Sequence, residues 1–427
     1  MPRPLFLALL LLFQALPLQA QQPYPTDWSP TLASRPDIKA AIAIIERTYP
    51  KHMDEWIRLT QMPSPSHHEN VRAAYIRQQL EAAGLTVTTD SIGNVAGRRK
   101  GTFTGPTIVI ASHMDIVQPM GVDLTVKHSG DTLRAPGVFD NTASIANVLA
   151  VVRAMAEAKV KSNANFIFLF TAQEEIGLRG MDWWLDHNPR PDMLIASDGG
   201  LGPIAYGALG IYWTKYTFIG EGSHTVTSRG KPTPVKALAD AIDHIYQLKT
   251  EPLPEGAVLN VGQVHGGTIY NGIPQELYFT MDLRGQNPAL IDSLDRVIDK
   301  ISADAAKREK LQYRKESIIR NKAGGTEAML AGARRNPIVQ TAIDIHHFLG
   351  IDVGAPGKEA VAAGTTDANM GVVRGIPSIA IGRAIGGNQH TLTEWADGKS
   401  ALPATKMVLL LLVSLGENKL QPVGIVP

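Results

Sequence analysis

His113 and Asp115 close the run Thr107-Ile-Val-Ile-Ala-Ser-His113-Met-Asp115, which reads as a buried strand running out into a site. Three further acidic segments stand at similar strand or loop ends: Val138-Phe-Asp140-Asn, Thr171-Ala-Gln-Glu174-Glu175 and Ala196-Ser-Asp198-Gly-Gly. A late histidine, His390, lies in Gly386-Gly-Asn-Gln-His390-Thr. Two histidines and several carboxylates at one sheet edge are what a pair of divalent cations requires. Such a pair holds a shared water, lowers its pKa and polarises a carbonyl oxygen, which is hydrolytic chemistry. In this reading His113 ligates through a ring nitrogen, and Asp115 accepts the other ring N–H and fixes the tautomer. Asp140, following Gly137-Val-Phe, is placed to approach closely and bridge. Glu175 and Asp198 complete one metal each, and His390 closes the second site. Neighbouring side chains point differently, so one of Glu174 and Glu175 can ligate while the other serves as general base.

Taken singly, these residues have plainer readings. His113-x-Asp115 alone is a satisfied structural pair, Glu174-Glu175 a solvated face, and Asp198 before two glycines a turn. Their joint placement decides between the readings, because water-exposed charges are not expected at the end of a strand as apolar as Phe166–Phe170.

Alternating elements must position these groups. Helical periodicity runs from 36 to 84, broken at Met62-Pro-Ser-Pro-Ser66. Strands are expected at 107–111, 165–170 and 193–196, with helices at 141–157 and 178–187 between them. Strand and helix in alternation imply a largely parallel sheet covered on both faces, an α/β architecture. Such sheets bind ligands beyond the carboxyl ends of their strands, where His113, Glu174, Glu175 and Asp198 lie. Near Ala205 the pattern changes to half-exposed antiparallel strands (212–219, 276–283) and helices (233–248, 288–308). Residues 206–320 therefore read as a small inserted α/β domain. Asn321-Lys-Ala-Gly-Gly-Thr326 has linker composition. Residues 21–205 and 321–427 then form one discontinuous domain, ending in an apolar helix after about 401.

With 427 residues, two domains are the reasonable expectation. The net charge of +1, with no basic block, gives no reason to expect nucleic acid or an anionic membrane as partner. The absence of cysteine excludes disulfides, zinc thiolates and a cysteine nucleophile, so any metal must sit on nitrogen and oxygen. Arg3, the apolar stretch Leu5–Phe13 and Ala20 form a secretory signal peptide, residues 1–20. The expectation is an exported chain, periplasmic or secreted, with no membrane contact after cleavage. His67-His68-Glu69-Asn70 is not a zincin site, since position 72 is arginine.

These segments together resemble the M20 metallopeptidases, the family of peptidase T, carboxypeptidase G and the acetylornithine and succinyl-diaminopimelate deacylases. The resemblance runs through Leu59-Thr-Gln-Met-Pro-Ser-Pro-Ser66, Gly93-Asn94-Val, His113-x-Asp115, Gly-Val-Phe-Asp140-Asn, Gln-Glu174-Glu175-x-Gly177, Asp198-Gly-Gly, the insert and His390. It implies a zinc-exopeptidase fold in which the insert is a lid and dimerisation domain. It implies two Zn2+ (Co2+ or Mn2+ as substitutes) on His113, Asp140, Glu175, Asp198 and His390, with Asp140 bridging. Glu174 is then the general base and Asp115 supports His113. His224 in Gly220-Glu-Gly-Ser-His224 resembles the family histidine that crosses a homodimer to the substrate carbonyl. Asn271 and Arg284 resemble lid residues that contact a substrate carboxylate, and Gly364-Thr365 resembles the loop that binds the same end. Two departures matter. Asp140-Asn141-Thr142-Ala143 lacks the lysine that many members carry two residues after the bridging aspartate. Position 198 is aspartate, similar to aminopeptidase and dipeptidase members, where carboxypeptidases and deacylases more commonly have glutamate. The implied activity is hydrolysis of short peptides by an exopeptidase of aminopeptidase or dipeptidase type. The alternative is a deacylase or carboxypeptidase acting on N-acyl amino acids.

Overall fold

Residues 24–102, 105–248, 257–354 and 361–417 are described by the computed structural model, and the signal peptide expected at 1–20 lies outside them. Four helices come first: α1 (Pro30–Ala33), α2 (Pro36–Arg47), α3 (Tyr49–Thr60) and α4 (Asn70–Ala82). The first three carry proline in their first turn, where its missing N–H costs nothing. Strands β1 (Thr86–Thr89), β2 (Val95–Arg99) and β3 (Thr107–His113) follow, then a hairpin of β4 (Lys127–Ser129) and β5 (Thr132–Arg134). Next come α5 (Thr142–Glu157), β6 (Asn165–Thr171), α6 (Arg179–His187), β7 (Met193–Ser197) and β8 (Ile204–Ala208). The insert comprises β9 (Gly210–Ile219), β10 (Ser223–His224), α7 (Pro234–Leu248), β11 (Val258–Gly266), β12 (Gly272–Ile273), β13 (Glu276–Gly285), α8 (Pro288–Arg308) and β14 (Gln312–Asn321). The chain then returns through α9 (Glu327–Arg334), α10 (Pro337–Leu349), β15 (Val361–Gly364), α11 (Ala368–Val372), β16 (Ser378–Ile381), β17 (Ile385–Gly387), β18 (Trp395–Asp397) and α12 (Ala401–Leu415).

The main sheet has eight strands in the order β1-β2-β6-β3-β7-β16-β8-β15. Its centre, β6-β3-β7-β16, is parallel throughout, while β1, β2 and β8 add antiparallel joins. Each inner strand is apolar on both sides because two cores need it. β3 sends Ile108 and Ile110 into the core beneath α5 and α12, and Val109 and Ala111 into the core beneath α6. β6 divides Phe166, Phe168 and Phe170 from Ile167 and Leu169 in the same way. The stretch Gly398–Leu415, which ends in α12, is long and apolar enough to cross a membrane by those measures alone, but 78% of it is buried in the protein, and α12 is a core helix.

Register aligns the strand ends that matter. His113 lies opposite Thr171, Ala111 opposite Ala196, and Ser197 opposite Ile381. The residues following β3, β6, β7 and β16 therefore leave the sheet along one edge.

The insert forms its own antiparallel sheet, β11-β13-β9-β14, whose core of Tyr216, Phe218, Phe279, Ile291 and Ile298 lies under α7 and α8. Its start differs from the expected 206. β8 pairs with β15 and β16, so the insert begins at Gly210, with only Leu209 between it and the end of β8. A small sheet, β17-β18-β5-β4, carries His390 on the connection between β17 and β18.

Candidate metal centre

The shared edge of β3, β6 and β7 opens into a cavity of about 310 Å³ lined by His113, Asp140, Glu174, Glu175, Asp198, Thr365, Arg284 and His390. His113 ends β3 and is 2% exposed. Its Nε2 lies 3.0 Å from Asp140 Oδ1 and 3.9 Å from Asp198 Oδ2. His390 Nε2 lies 3.4 Å from Asp140 Oδ2 and 3.1 Å from Glu175 Oε2. Asp140 thus turns one oxygen to each histidine. Ligand atoms of His113, Asp140 and Glu175 fall within 4.8 Å of one another, and so do those of His113, Glu174 and Asp198.

Local sequence explains this convergence. Gly137 has φ +73°, and a Cβ there would stand 2.8 Å from Ile116 Cγ2, so only glycine lets the Asp140 loop pass so close. Backbone N–H groups of Gly137, Phe139 and Asp140 donate to the Glu394 carboxylate at 2.9, 2.8 and 2.7 Å. Asp115, fully buried, accepts from the backbone N–H of Glu174 (3.0 Å) and Glu175 (3.1 Å) and from Ser66 Oγ (2.7 Å). Its side chain fixes the glutamate pair as well as facing His113, whose Nδ1 is 3.1 Å from the Asp115 carbonyl oxygen and 3.5 Å from Oδ1. His390 sits at φ +64°, a left-handed conformation that costs a non-glycine residue on the order of 1 kcal/mol and clusters at functional sites.

The electrostatics follow from packing carboxylates together out of water. Burial and then Asp198, Glu175 and Asp367 push the Glu174 carboxyl well above the ordinary carboxylate range, against the pull of His113. Asp140 goes the other way. Burial opposes its charge, but Arg383 and the hydrogen bonds to His113 and His390 hold it well below the usual value. Burial also opposes charge on His113, yet Glu174 and the contacts to Asp115 and Asp140 raise it well above normal. Hydrogen bonds to Asp140 and Glu175 raise His390 to about 10. Neighbouring carboxyl groups driven in opposite directions are the usual mark of an acid–base site.

The donors fit a pair of divalent cations. They are imidazole and carboxylate only, and Glu175 Oε1 is buried without a hydrogen-bond partner, as an oxygen reserved for a cation would be. His113, Asp140, Glu175, Asp198 and His390 are the residues that would hold them.

The site residues expected in the insert and in the loop after β15 divide. Arg284 lines the cavity, and its Nε is paired with Asp282 at 3.1 Å. His224 and Asn271 do not line it. Both are exposed, with Asn271 Nδ2 3.4 Å from His224 Nε2, while His224 Nδ1 accepts the Val226 N–H at 3.2 Å. Thr365 lines the cavity, Gly364 ends β15 behind it, and Thr366 rather than Thr365 caps the next turn through the Ala368 N–H at 3.2 Å. Two buried residues of the site escape a reading of the sequence, Glu394 and Arg383, while a third, Asp367, ends the Gly364-Thr-Thr-Asp367 loop already singled out there. Asp367 Oδ2 accepts from Thr171 Oγ1 at 2.6 Å, and burial lifts its carboxyl to about 7. The one available signal was position, since Arg383 stands just beyond β16 and Glu394 four residues after His390.

Comparison with known proteins agrees with this geometry. The profile of peptidase family M20/M25/M40 matches residues 109–414. Carboxypeptidase G2 of Pseudomonas sp. (strain RS-16) is 24% identical over 82% of this chain and 86% of its own. A tripeptidase of Staphylococcus aureus superimposes with a TM-score of 0.70 at 21% identity, covering 86% of this chain and 98% of that one. A Bacillus subtilis protein described as a dinuclear metal binding peptidase superimposes with a TM-score of 0.62 at 17% identity, over 87% and 99% of the two chains. At these identities the two structures establish the shared fold.

Proposed function

The chain belongs to peptidase family M20/M25/M40, and from that premise we propose an exported di-zinc exopeptidase that hydrolyses short peptides in the manner of an aminopeptidase or dipeptidase. The observation that carries this reading is the convergence of His113, Asp140, Glu175, Asp198 and His390, with Glu174 among them, on one cavity. Zinc bound there supplies a water of lowered pKa and a Lewis acid for the scissile carbonyl. Glu174 takes a proton from the attacking water and returns it to the leaving amine. Its carboxyl lines the same cavity as the would-be ligands, within reach of a water held there. Asp115 holds Glu174 in place through the backbone N–H.

His224 of a partner subunit donates to the oxyanion as it forms. Its exposure, away from the cavity of its own chain, supports a role in trans within a lid-mediated homodimer. Arg284 and Thr365 in the cavity wall, with Gly364 behind and Asn271 beside His224, receive the substrate carboxylate. The apolar stretch Leu5–Phe13 with Arg3 before it and Ala20 after it supports export to the periplasm or medium. Cobalt or manganese would serve the same nitrogen and oxygen donors.

The second reading, an amidohydrolase, deacylase or carboxypeptidase, fits Arg284 equally well, because N-acyl amino acids also present a free carboxylate. Rates measured side by side on a dipeptide, a tripeptide, an N-acetyl amino acid and an N-blocked dipeptide decide between them. The proposal expects the two peptides with free amines to be the better substrates. Preference for either N-blocked compound would replace it with the second reading.

A further inference from the structure

Arg383 is the largest charged side chain wholly inside the site, 1% exposed. It leaves the sheet directly after β16, at the edge from which the would-be ligands emerge. One end of its guanidinium, Nη1, contacts Asp198 Oδ1 and lies 3.3 Å from Asn141 Oδ1, while the other, Nη2, lies 3.2 Å from Asp140 Oδ1. The guanidinium carbon stands 4.1 Å from the Phe139 ring centre, a stacked cation–π contact.

The backbone beneath is equally fixed. Its N–H donates to the Gly199 carbonyl at 3.1 Å, and its carbonyl accepts from Asn147 Nδ2 at 2.8 Å. Asn147 Oδ1 in turn accepts from Thr405 Oγ1 at 3.0 Å, which ties the arrangement to α5 and α12. A surface cation would need none of this. A buried guanidinium is tolerated where fixed anions meet its fork, and an arginine fork spans two carboxylates in a way an ammonium cannot.

The division of oxygens is informative. On Asp198, Arg383 takes Oδ1 and leaves Oδ2 facing His113. On Asp140, Oδ1 is shared by Arg383 and His113, and Oδ2 faces His390. Asp140 and Asp198 would otherwise repel each other, and the same guanidinium joins them.

We propose that Arg383 is a positioning residue that clamps Asp140 and Asp198 from behind, so that the cage is formed before cations enter and Asp198 presents a single oxygen to them. This deepens the metal-cage reading and rests on it. Arg383 is not among the residues that line the cavity; it acts through the two aspartates.

The test uses the full chain and Co2+, whose visible absorption reports ligand geometry. Affinity is measured for the parent, Arg383→Met and Arg383→Lys, together with the rise in Tm that saturating Co2+ produces in each. Loss of a group that orients metal ligands typically weakens metal binding by about 10–100-fold. Arg383→Met should show that loss, a changed Co2+ spectrum and a smaller metal-induced rise in Tm. Arg383→Lys keeps the charge but reaches one aspartate at a time, so it should fall between the other two. It also carries the test if the methionine variant does not fold. Variants that bind Co2+ as tightly as the parent, with the same spectrum and the same Tm increment, would overturn the proposal even if both were less stable, since a purely structural arginine lowers metal-free and metal-loaded Tm alike. A parent chain that binds no Co2+ would instead overturn the cage reading beneath it.

Discussion

On the sheet edge, His113, Asp140, Glu174, Glu175 and Asp198 are buried or nearly so, and each meets partners supplied by the same chain. On the insert, His224 and Asn271 are exposed and face each other. The first region is complete within one chain. The second is a pair of hydrogen-bonding groups that lie outside the lining of the cavity. Rigid, desolvated ligands suit chemistry that must be preorganised, whereas exposed lid groups suit contacts made when a substrate or a second subunit arrives. Arg284 stands between the two, a residue of the insert that already lines the cavity.

The largest expected effect tests the finished region. Glu174→Gln keeps the shape and removes the base, so turnover should fall by about 10²–10⁴-fold with both metals retained. Near-normal turnover would end the base assignment, and loss of metal would recast Glu174 as a ligand. A somewhat smaller effect tests the unfinished region. His224→Ala should lose about 10²–10³-fold, the usual value of one oxyanion donor. Mixing His224→Ala with Glu174→Gln, each nearly inactive, should restore activity if subunits exchange, because one hybrid site then holds both an intact base and an intact histidine. No recovery from mixed dimers that demonstrably form would place the histidine's action within its own chain, or nowhere. The smallest effect concerns the residue in between. Arg284→Ala should raise KM about tenfold for substrates with a free carboxylate, the value of one charge-assisted hydrogen bond near 1.4 kcal/mol. It should leave amidated substrates unchanged, and an equal rise for both would remove its role in binding the carboxylate.

The same contrast separates what the sequence discloses from what it hides. Cavity residues were legible where a charged residue follows the end of an apolar strand, as at His113, Glu174, Glu175 and Asp198, because nothing in the pattern of a core explains a charge there. Asp140 and His390 were legible through glycine-bearing segments that bring backbone close. Glu394 and Arg383 were not. Glu394 sits in a polar run, Thr391-Leu-Thr-Glu394, and its three backbone donors come from a loop more than 250 residues earlier in the chain. Arg383, in Gly-Arg-Ala, reads as a surface cation until β16 is placed beside β7. The double role of Asp115 was half visible, because its contact with His113 is local and its hold on Glu174 and Glu175 is not. The change to antiparallel strands read from the sequence corresponds to the separate sheet β11-β13-β9-β14. The insert's start was misplaced by four residues, because β8 is short and separated from β9 by Leu209 alone, so no composition shift marks where one sheet ends and the next begins.

Both regions depend on the cage being a metal site. The most direct measurement is elemental analysis of the purified chain together with peptide hydrolysis before chelation, after chelation and after return of Zn2+. Two equivalents of a divalent metal per chain, activity abolished by stripping and recovered with zinc are the expected result. A chain without metal that hydrolyses peptides as fast as the untreated one would contradict it.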